Sequence, residues 1–339
     1  MICTVGETLT AEDAITEGMC DYAIFTELAV VGGDLKPVRG PHAWEVFKKA
    51  IAHSDKTKGG VSFSSFKESE REGTMRKLGS MSDKLRELVS VQKVLAFGML
   101  GFSHDYSLND DVFGRTFQVS AILLVISASM TFLGVWLVTT SNAEAFARIR
   151  GSTRNVDIVI IQTHITLAAK YRSCYAYMIS QAKEIGDVPN WETAEVALRL
   201  LQELEIPGLR VFFSSTMSVM VYVSAKSSPS IGPRRRQCDH FFIADIDSTC
   251  RETLGDLKSQ YWPDDMSESI TYRDAHGGYM LVFESVNSLN AKAARYGNIT
   301  GGWAFFEIQR DIYWPCRNGS AYGRVKHGIS AMRTASSLH

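Results

Sequence analysis

The chain has 339 residues, 45% of them hydrophobic, and a formal net charge of −1. That length excludes a mini-protein and that apolar share excludes a disordered chain; at roughly 100–200 residues per domain it leaves room for two or three domains, or for one α/β barrel with an insertion. Near-neutral charge excludes the clustered lysines and arginines with which a nucleic-acid binder neutralises phosphates, and the one dense basic run, Arg234–Arg235–Arg236, reads as a solvated loop after Pro233.

Along the chain, short apolar runs alternate with longer helical patterns. Strand-like runs rich in Val, Ile and Phe fall at 2–5, 22–25, 60–63, 93–99, 134–139, 156–162, 209–215 and 302–308. Several are continuously apolar, as strands covered on both faces are. Helical spacing appears at 44–52 (Trp44, Phe47, Ala50, Ile51), at 82–89, at 191–204 (Ala194, Ala197, Leu198, Leu201, Leu204) and at 288–296 (Leu289, Ala293, Tyr296). Pro207-Gly208 stops the third. Eight strands alternating with helices predict an α/β fold, a (β/α)8 TIM barrel. The roughly 85 residues between the seventh and eighth strands exceed one crossover and predict a small α+β insertion on the C-terminal face of the barrel. The expected division is 1–224 for barrel strands one to seven, 225–285 for the insertion, and 286–339 for strand eight and a C-terminal helix.

The stretch 116–143 carries no charged residue, and 117–138 is long enough to span a bilayer. The alternative is a buried helix to about residue 129 followed by a buried strand from Gly134. Interspersed Ser and Thr favour the buried reading. A single mid-chain span would also separate similar α/β patterns across a membrane, so no membrane partner is expected.

Of the six cysteines none forms a C-x-x-C, which weakens zinc-ribbon and thioredoxin readings. An even cysteine count with sequons at Asn298 and Asn318 points to a secreted, disulfide-bonded glycoprotein. The first residues read as a strand rather than as a leader, and the expectation is that the natural chain starts upstream. There is no P-loop, no dinucleotide-binding glycine motif in context, no H-E-x-x-H and no G-x-S-x-G, so neither a cofactor nor a metal is expected. Gln162 and His164 alternate on the sixth strand and suit a pocket mouth, although a lone His there is more often a hydrogen-bonded structural group than a catalyst. Trp303 and Trp136 offer flat apolar faces suited to a sugar ring or to packing on helices. Asp245 and Asp247 read as a solvated strand end.

Several segments resemble the family-18 glycoside hydrolases, the chitinases and chitinase-like proteins. Residues 279–295 (YMLVFESVNSLNAKAAR) are similar to that family's strand and S-x-x-x-K helix start, and 301–308 (GGWAFFEI) to its final barrel strand. Cys3 and the segment 20–25 (CDYAIF) resemble its tied first two strands, 157–164 (DIVIIQTH) its sixth strand, and 238–250 the start of its insertion. The resemblance implies a Cys3–Cys20 disulfide. Cys238–Cys250 is the second pair expected, which leaves Cys174 and Cys316 open.

The family's fourth strand carries D-x-x-D-x-D-x-E, whose Glu protonates the glycosidic oxygen while an Asp holds the substrate's N-acetyl group, itself the nucleophile in place of a second carboxylate. Here 90–104 (SVQKVLAFGMLGFSH) contains no carboxylate. The register puts Leu95, Phe97 and Met99 at the catalytic positions, as barrel-interior packing. Ser62-Phe63 replace the third strand's glycines, His164-Ile165 a Tyr-Asp pair, and Phe306 a Trp; the Tyr-Gly-Arg after strand seven is absent from 214–222. The resemblance therefore implies a secreted chitinase-like protein with no catalytic residue, binding chitin or related N-acetylglucosamine oligosaccharides through Gln162, His164, Trp303 and Phe306. The alternatives are an active chitinase-type hydrolase with an acid relocated to Glu284 or Glu307, and a glycan-independent module with a protein partner.

Overall fold

The computed structural model describes residues 1–10, 15–63, 73–74, 77–103, 130–136, 156–165, 174–182, 193–203, 207–224, 237–250, 254–255, 257–311 and 322–337. Eight parallel strands close into a barrel: β1 (Ile2–Val5), β2 (Tyr22–Phe25), β5 (Lys58–Ser62), β6 (Val94–Ser103), β7 (Met130–Trp136), β8 (Ile158–Ile161), β9 (Arg210–Thr216) and β15 (Gly302–Phe306), which returns to β1. The eight-stranded barrel read from the alternation is present. β7 begins at Met130, earlier than Gly134; residues 137–139, like the apolar stretch before Met130, lie outside the described residues. No helix among the described residues is long and apolar enough to cross a membrane.

Two apolar layers follow from strand alternation. One contains strand residues alone, among them Ile2, Ile24, Leu100, Phe132, Ile160, Phe212 and Phe306, and fills the lumen. The other joins the opposite strand faces to helices α1 (Pro41–Ala52), α2 (Ser82–Ser90), α3 (Ala194–Glu203), α4 (Val286–Tyr296) and α5 (Gly323–Ser336). Phe97 and Met99 belong to this outer layer, with Phe97 stacked on Phe63 at 6.3 Å. This corrects the expected register: Ala96 and Leu100 face inward instead. The cause is a register shift where β5 meets β6, with Gly59 opposite Val94 but Gly60 opposite Ala96. An extra residue inverts the parity of everything after it. Gly98 accompanies the inward pair because a Cβ there would sit 2.0 Å from the Phe132 carbonyl oxygen.

Between β2 and α1 lies a hairpin, β3 (Leu28–Val31) and β4 (Asp34–Pro37), turning on Gly32 and Gly33, both at positive φ. Pro41 opens α1, where its missing N–H costs nothing, and Trp44 and Phe47 pack on Phe25. A Ser285–Ser288 capping box starts α4.

The insertion is a five-stranded antiparallel sheet in the order β11 (His240–Ala244), β10 (Val219–Ser224), β14 (Gly278–Phe283), β13 (Glu268–Arg273), β12 (Gln260–Trp262). Its β10 lies within the span assigned to the barrel, three residues past the end of β9. One sheet face packs on Ile165, Ala176, Met178 and Ile179, the chain that follows β8.

Cys3–Cys20 is formed as expected. Cys238 pairs with Cys174, not with Cys250. The correction has a local cause: Tyr175 bridges Gln237, and the Cys238 N–H donates to the Cys174 carbonyl at 2.9 Å, which sets the two side chains side by side. Cys250 follows a 3-10 turn and is disulfide-bonded elsewhere; Cys316 lies outside the described residues.

Candidate functional site: the mouth of the barrel

In barrels of this kind chemistry sits at the C-terminal ends of the strands. Here those ends are bound to each other by hydroxyls. Ser62 Oγ accepts from the Leu100 N–H at 2.9 Å, Thr4 Oγ1 from the Glu307 N–H at 3.0 Å, and Ser214 Oγ from the Thr163 N–H at 2.9 Å.

Three of the four residues singled out from the sequence gather on the lumen side of this ring. Gln162 continues the inward parity of Ile158 and Ile160, is 2% exposed, and its Oε1 has no partner among the described residues. His164 is 1% exposed, with Nδ1 2.8 Å from Ser214 Oγ and its ring 4.7 Å from that of Phe306. Trp303 lies on the opposite strand face. It packs edge-on against Phe213 at 6.0 Å and donates from Nε1 to Ser215 Oγ at 3.2 Å. The side chain of Trp136 lies outside the described residues.

Burial, and then the charge of Lys292, push the His164 imidazole down to about 3. Lys292 is itself fully buried and pairs with Glu284, which also accepts from Ser180 Oγ at 2.8 Å and Ser288 Oγ at 3.3 Å. Burial holds the Lys292 ammonium below its ordinary value despite the carboxylate beside it. Glu284 thus has its oxygens committed to an internal ion pair. Arg324 lies against the same group: it donates to Asp311 Oδ1, to the Glu284 carbonyl and to the Met217 carbonyl, each at 2.7 Å.

Glu307 follows β15 at φ 53°, on the rim. It accepts from Ser218 Oγ and lies 3.6 Å from Arg310, which also contacts Asp245 at 2.7 Å. Beyond the rim of β2, Glu27, at φ 66°, takes both arms of Arg39 at 2.8 and 3.1 Å, and Arg39 also reaches Glu7 at 3.2 Å. Burial pushes the Glu27 carboxyl up, against the pull of Arg39. Of this rim of alternating charges the sequence reading singled out Glu307 and Asp245, but not Glu7, Glu27, Arg39 or Arg310. Its signal was position: Glu27 and Glu307 each follow the end of a barrel strand on the functional face.

Among the described lumen-facing residues none is Asp or Glu, and among the described residues no cluster of three or more His, Cys, Asp or Glu suits a metal ion. The mouth offers an unpaired acceptor, a neutral imidazole and an aromatic ring. These are the kinds of group that hydrogen-bond and pack neutral hydroxylated molecules, and all three residues are buried, at 2%, 1% and 6% exposed. An imidazole that burial holds neutral, with a value near 3, is a poor general acid at neutral pH. The sequon residue Asn298 is exposed in the turn after α4, and Asn318 lies outside the described residues.

No protein-family model matches the chain, and no curated protein matches it. Solved structures do. Human YKL-39, described as a pseudo-chitinase with retained chitooligosaccharide binding, superposes with a TM-score of 0.74 at 10% identity over 98% of this chain and 99% of that one. The Group IV chitinase of Ostrinia furnacalis in complex with allosamidin gives 0.69 at 11% identity over 99% of each chain. An immunomodulatory active chitinase from Trichuris suis gives 0.69 at 10% identity over 98% of this chain and 99% of that one. The closed barrel and its end-to-end superposition on these proteins establish the fold as that of the family-18 chitinases and chitinase-like proteins.

Proposed function

We propose that the protein is a secreted chitinase-like protein that binds chitin-type N-acetylglucosamine oligosaccharides at the barrel mouth without hydrolysing them. The observation that carries this reading is β6. Its sequence, VLAFGMLGFS, has no carboxylate, and its inward positions hold Ala96, Gly98 and Leu100. General acid catalysis needs a proton donor within reach of the leaving oxygen. The two carboxylates nearest in role are engaged elsewhere, Glu284 by Lys292 and Glu307 by Ser218 and Arg310. Binding is supported by the orphaned Gln162 Oε1, which a sugar hydroxyl or amide N–H would satisfy, and by the Phe306 ring on the same lumen side. It is also supported by likeness to YKL-39, which is described as a pseudo-chitinase with retained chitooligosaccharide binding. Disulfides and an exposed sequon at Asn298 suit an extracellular location.

The test pairs two measurements on one preparation. Fluorogenic chitotrioside should show no turnover under conditions where an active chitinase works. Calorimetric titration with chitotetraose should show saturable binding that Gln162→Leu weakens. Turnover that co-purifies with the chain overturns the first half of the proposal; absence of binding overturns the second and favours a protein partner.

A further inference from the structure

Away from the mouth, at the N-terminal end of β2, a groove of about 400 Å³ separates α5 from the turn that precedes the strand. Its volume lies within the roughly 300–1,000 Å³ of small-molecule sites. Met19 and Ile329, both buried, form its floor. One wall is a turn fixed from several sides: the Gly18 N–H donates to Thr57 Oγ1 at 2.9 Å, the Thr57 hydroxyl to the Cys20 carbonyl at 3.0 Å, and Cys20 is tied to Cys3. The other wall is the α5 stripe Lys326, Ser330 and Arg333, at helical spacing. Its α5 scaffold is anchored by the buried Arg324–Asp311 pair. Both walls exist before any ligand arrives, which lowers the ordering cost of binding.

The charges do not suit a merely solvated helix. The sequence of α5, GRVKHGISAMRTAS, contains no acid. Lys326 stands in its first turn, where the helix dipole repels a cation, and it forms no ion pair among the described residues. Arg333 has one distant contact, Asp21 at 3.5 Å, with both groups half-exposed. Among the described residues that line the groove the one acid is Glu17, already engaged by the Asp55 and Lys56 N–H groups at 2.9 and 3.1 Å. Among the described residues, Lys326 without an ion pair and Arg333 with only its long contact to the half-exposed Asp21 therefore line the groove, against a Glu17 that is already hydrogen-bonded. About 10 Å of helix axis separates the two cations, the rise of seven residues.

We propose that this groove is a second binding site, for an organic oxyanion bearing hydroxyls — a uronate or a phosphorylated sugar. The oxyanion is held by Lys326 and Arg333, the hydroxyls by Ser330, and the apolar ring face by Ile329 and Met19. The site does not depend on the reading of the mouth, and the two are tested separately.

Calorimetric titration with glucuronate and with glucose 6-phosphate should give saturable binding for at least one, weakened by added salt, and N-acetylglucosamine should not compete. Which of the two binds identifies the head group. The Lys326→Gln/Arg333→Gln double variant should lose affinity at least tenfold while its chitotetraose titration stays unchanged. Both side chains lie at the surface, and removing a first-turn cation should leave the melting temperature no lower than that of the wild type. Binding of neither anion, equal binding by the double variant, or equal competition by N-acetylglucosamine each overturns the proposal.

Discussion

His164 combines a buried ring, a Ser214 contact and a neighbouring Lys292, and each property has a consequence in solution. An imidazole whose folded value lies near 3, below its ordinary 6.5, takes up no proton in the folded state across that interval, whereas the unfolded chain does. The stability it contributes is therefore complete above pH 6.5 and declines as the pH falls toward 3. Urea midpoints should drop between pH 7 and pH 4, and His164→Gln, which cannot titrate, should flatten that dependence. Gln162 makes the opposite trade. Its orphaned Oε1 carries a desolvation cost of about 1–3 kcal/mol with no hydrogen bond to offset it. Gln162→Leu should raise ligand-free stability by about 1 kcal/mol in urea unfolding. A polar group that destabilises the empty protein while favouring a ligand is what a binding site requires. Strand alternation in the sequence placed both residues on one face. It could not show that His164 is held neutral, because that comes from burial within the folded barrel and then from the charge of Lys292 on α4, an element far along the chain.

At the level of elements, apolar runs bounded by Gly, Pro and polar residues located all eight barrel strands, since a strand buried on both faces has few other compositions. Parity was harder. Phe97 and Met99 turned outward through a one-residue register shift beside Gly59, and nothing in an unbroken apolar run marks such a shift. The β3–β4 hairpin was not read from the sequence, although its signal is there. Gly32-Gly33 between Leu-Ala-Val-Val and Asp-Leu-Lys-Pro is a two-residue turn signal, and both glycines adopt the positive φ such turns need. The second disulfide was not legible, because spacing favours the nearer cysteine, and only the Tyr175–Gln237 bridge brings Cys174 to Cys238. That bond closes a loop with a sequence separation of 64, against 17 for Cys3–Cys20. On chain-entropy grounds its removal costs about 4 kcal/mol and that of the shorter loop about 3 kcal/mol. Peptide mapping without reduction should recover a Cys174–Cys238 linked pair. Cys174→Ala/Cys238→Ala should lower stability by at least as much as Cys3→Ala/Cys20→Ala.

For the whole molecule, the question is what couples the insertion to the barrel that carries it. The chain leaves the barrel just after Met217 and returns at Glu284, and the Arg324 guanidinium donates to the carbonyls of both. Its third contact, Asp311, follows β15 and also accepts from the Val325 N–H at 3.0 Å. One buried cation from α5 therefore ties together the outgoing strand, the returning strand and the closure of the barrel. Truncating one member of such a buried pair leaves an uncompensated charge and typically costs about 3–5 kcal/mol. Arg324→Met should cost that much, because Asp311 and two carbonyls lose their donor in a site that water does not enter. Arg310→Met is the control: its partners Asp245 and Glu307 lie on the partly exposed rim, where such a pair contributes about 1 kcal/mol or less. Hydrogen exchange distinguishes loss of coupling from general weakening. In the Arg324→Met protein the amides of β10 and β14 should exchange before those of β1 and β15, because the insertion has lost its clamp while the barrel ladder is intact. Uniform acceleration across all four strands would mean that Arg324 supports the barrel alone and that the insertion is held by its apolar contact with Ile165, Met178 and Ile179.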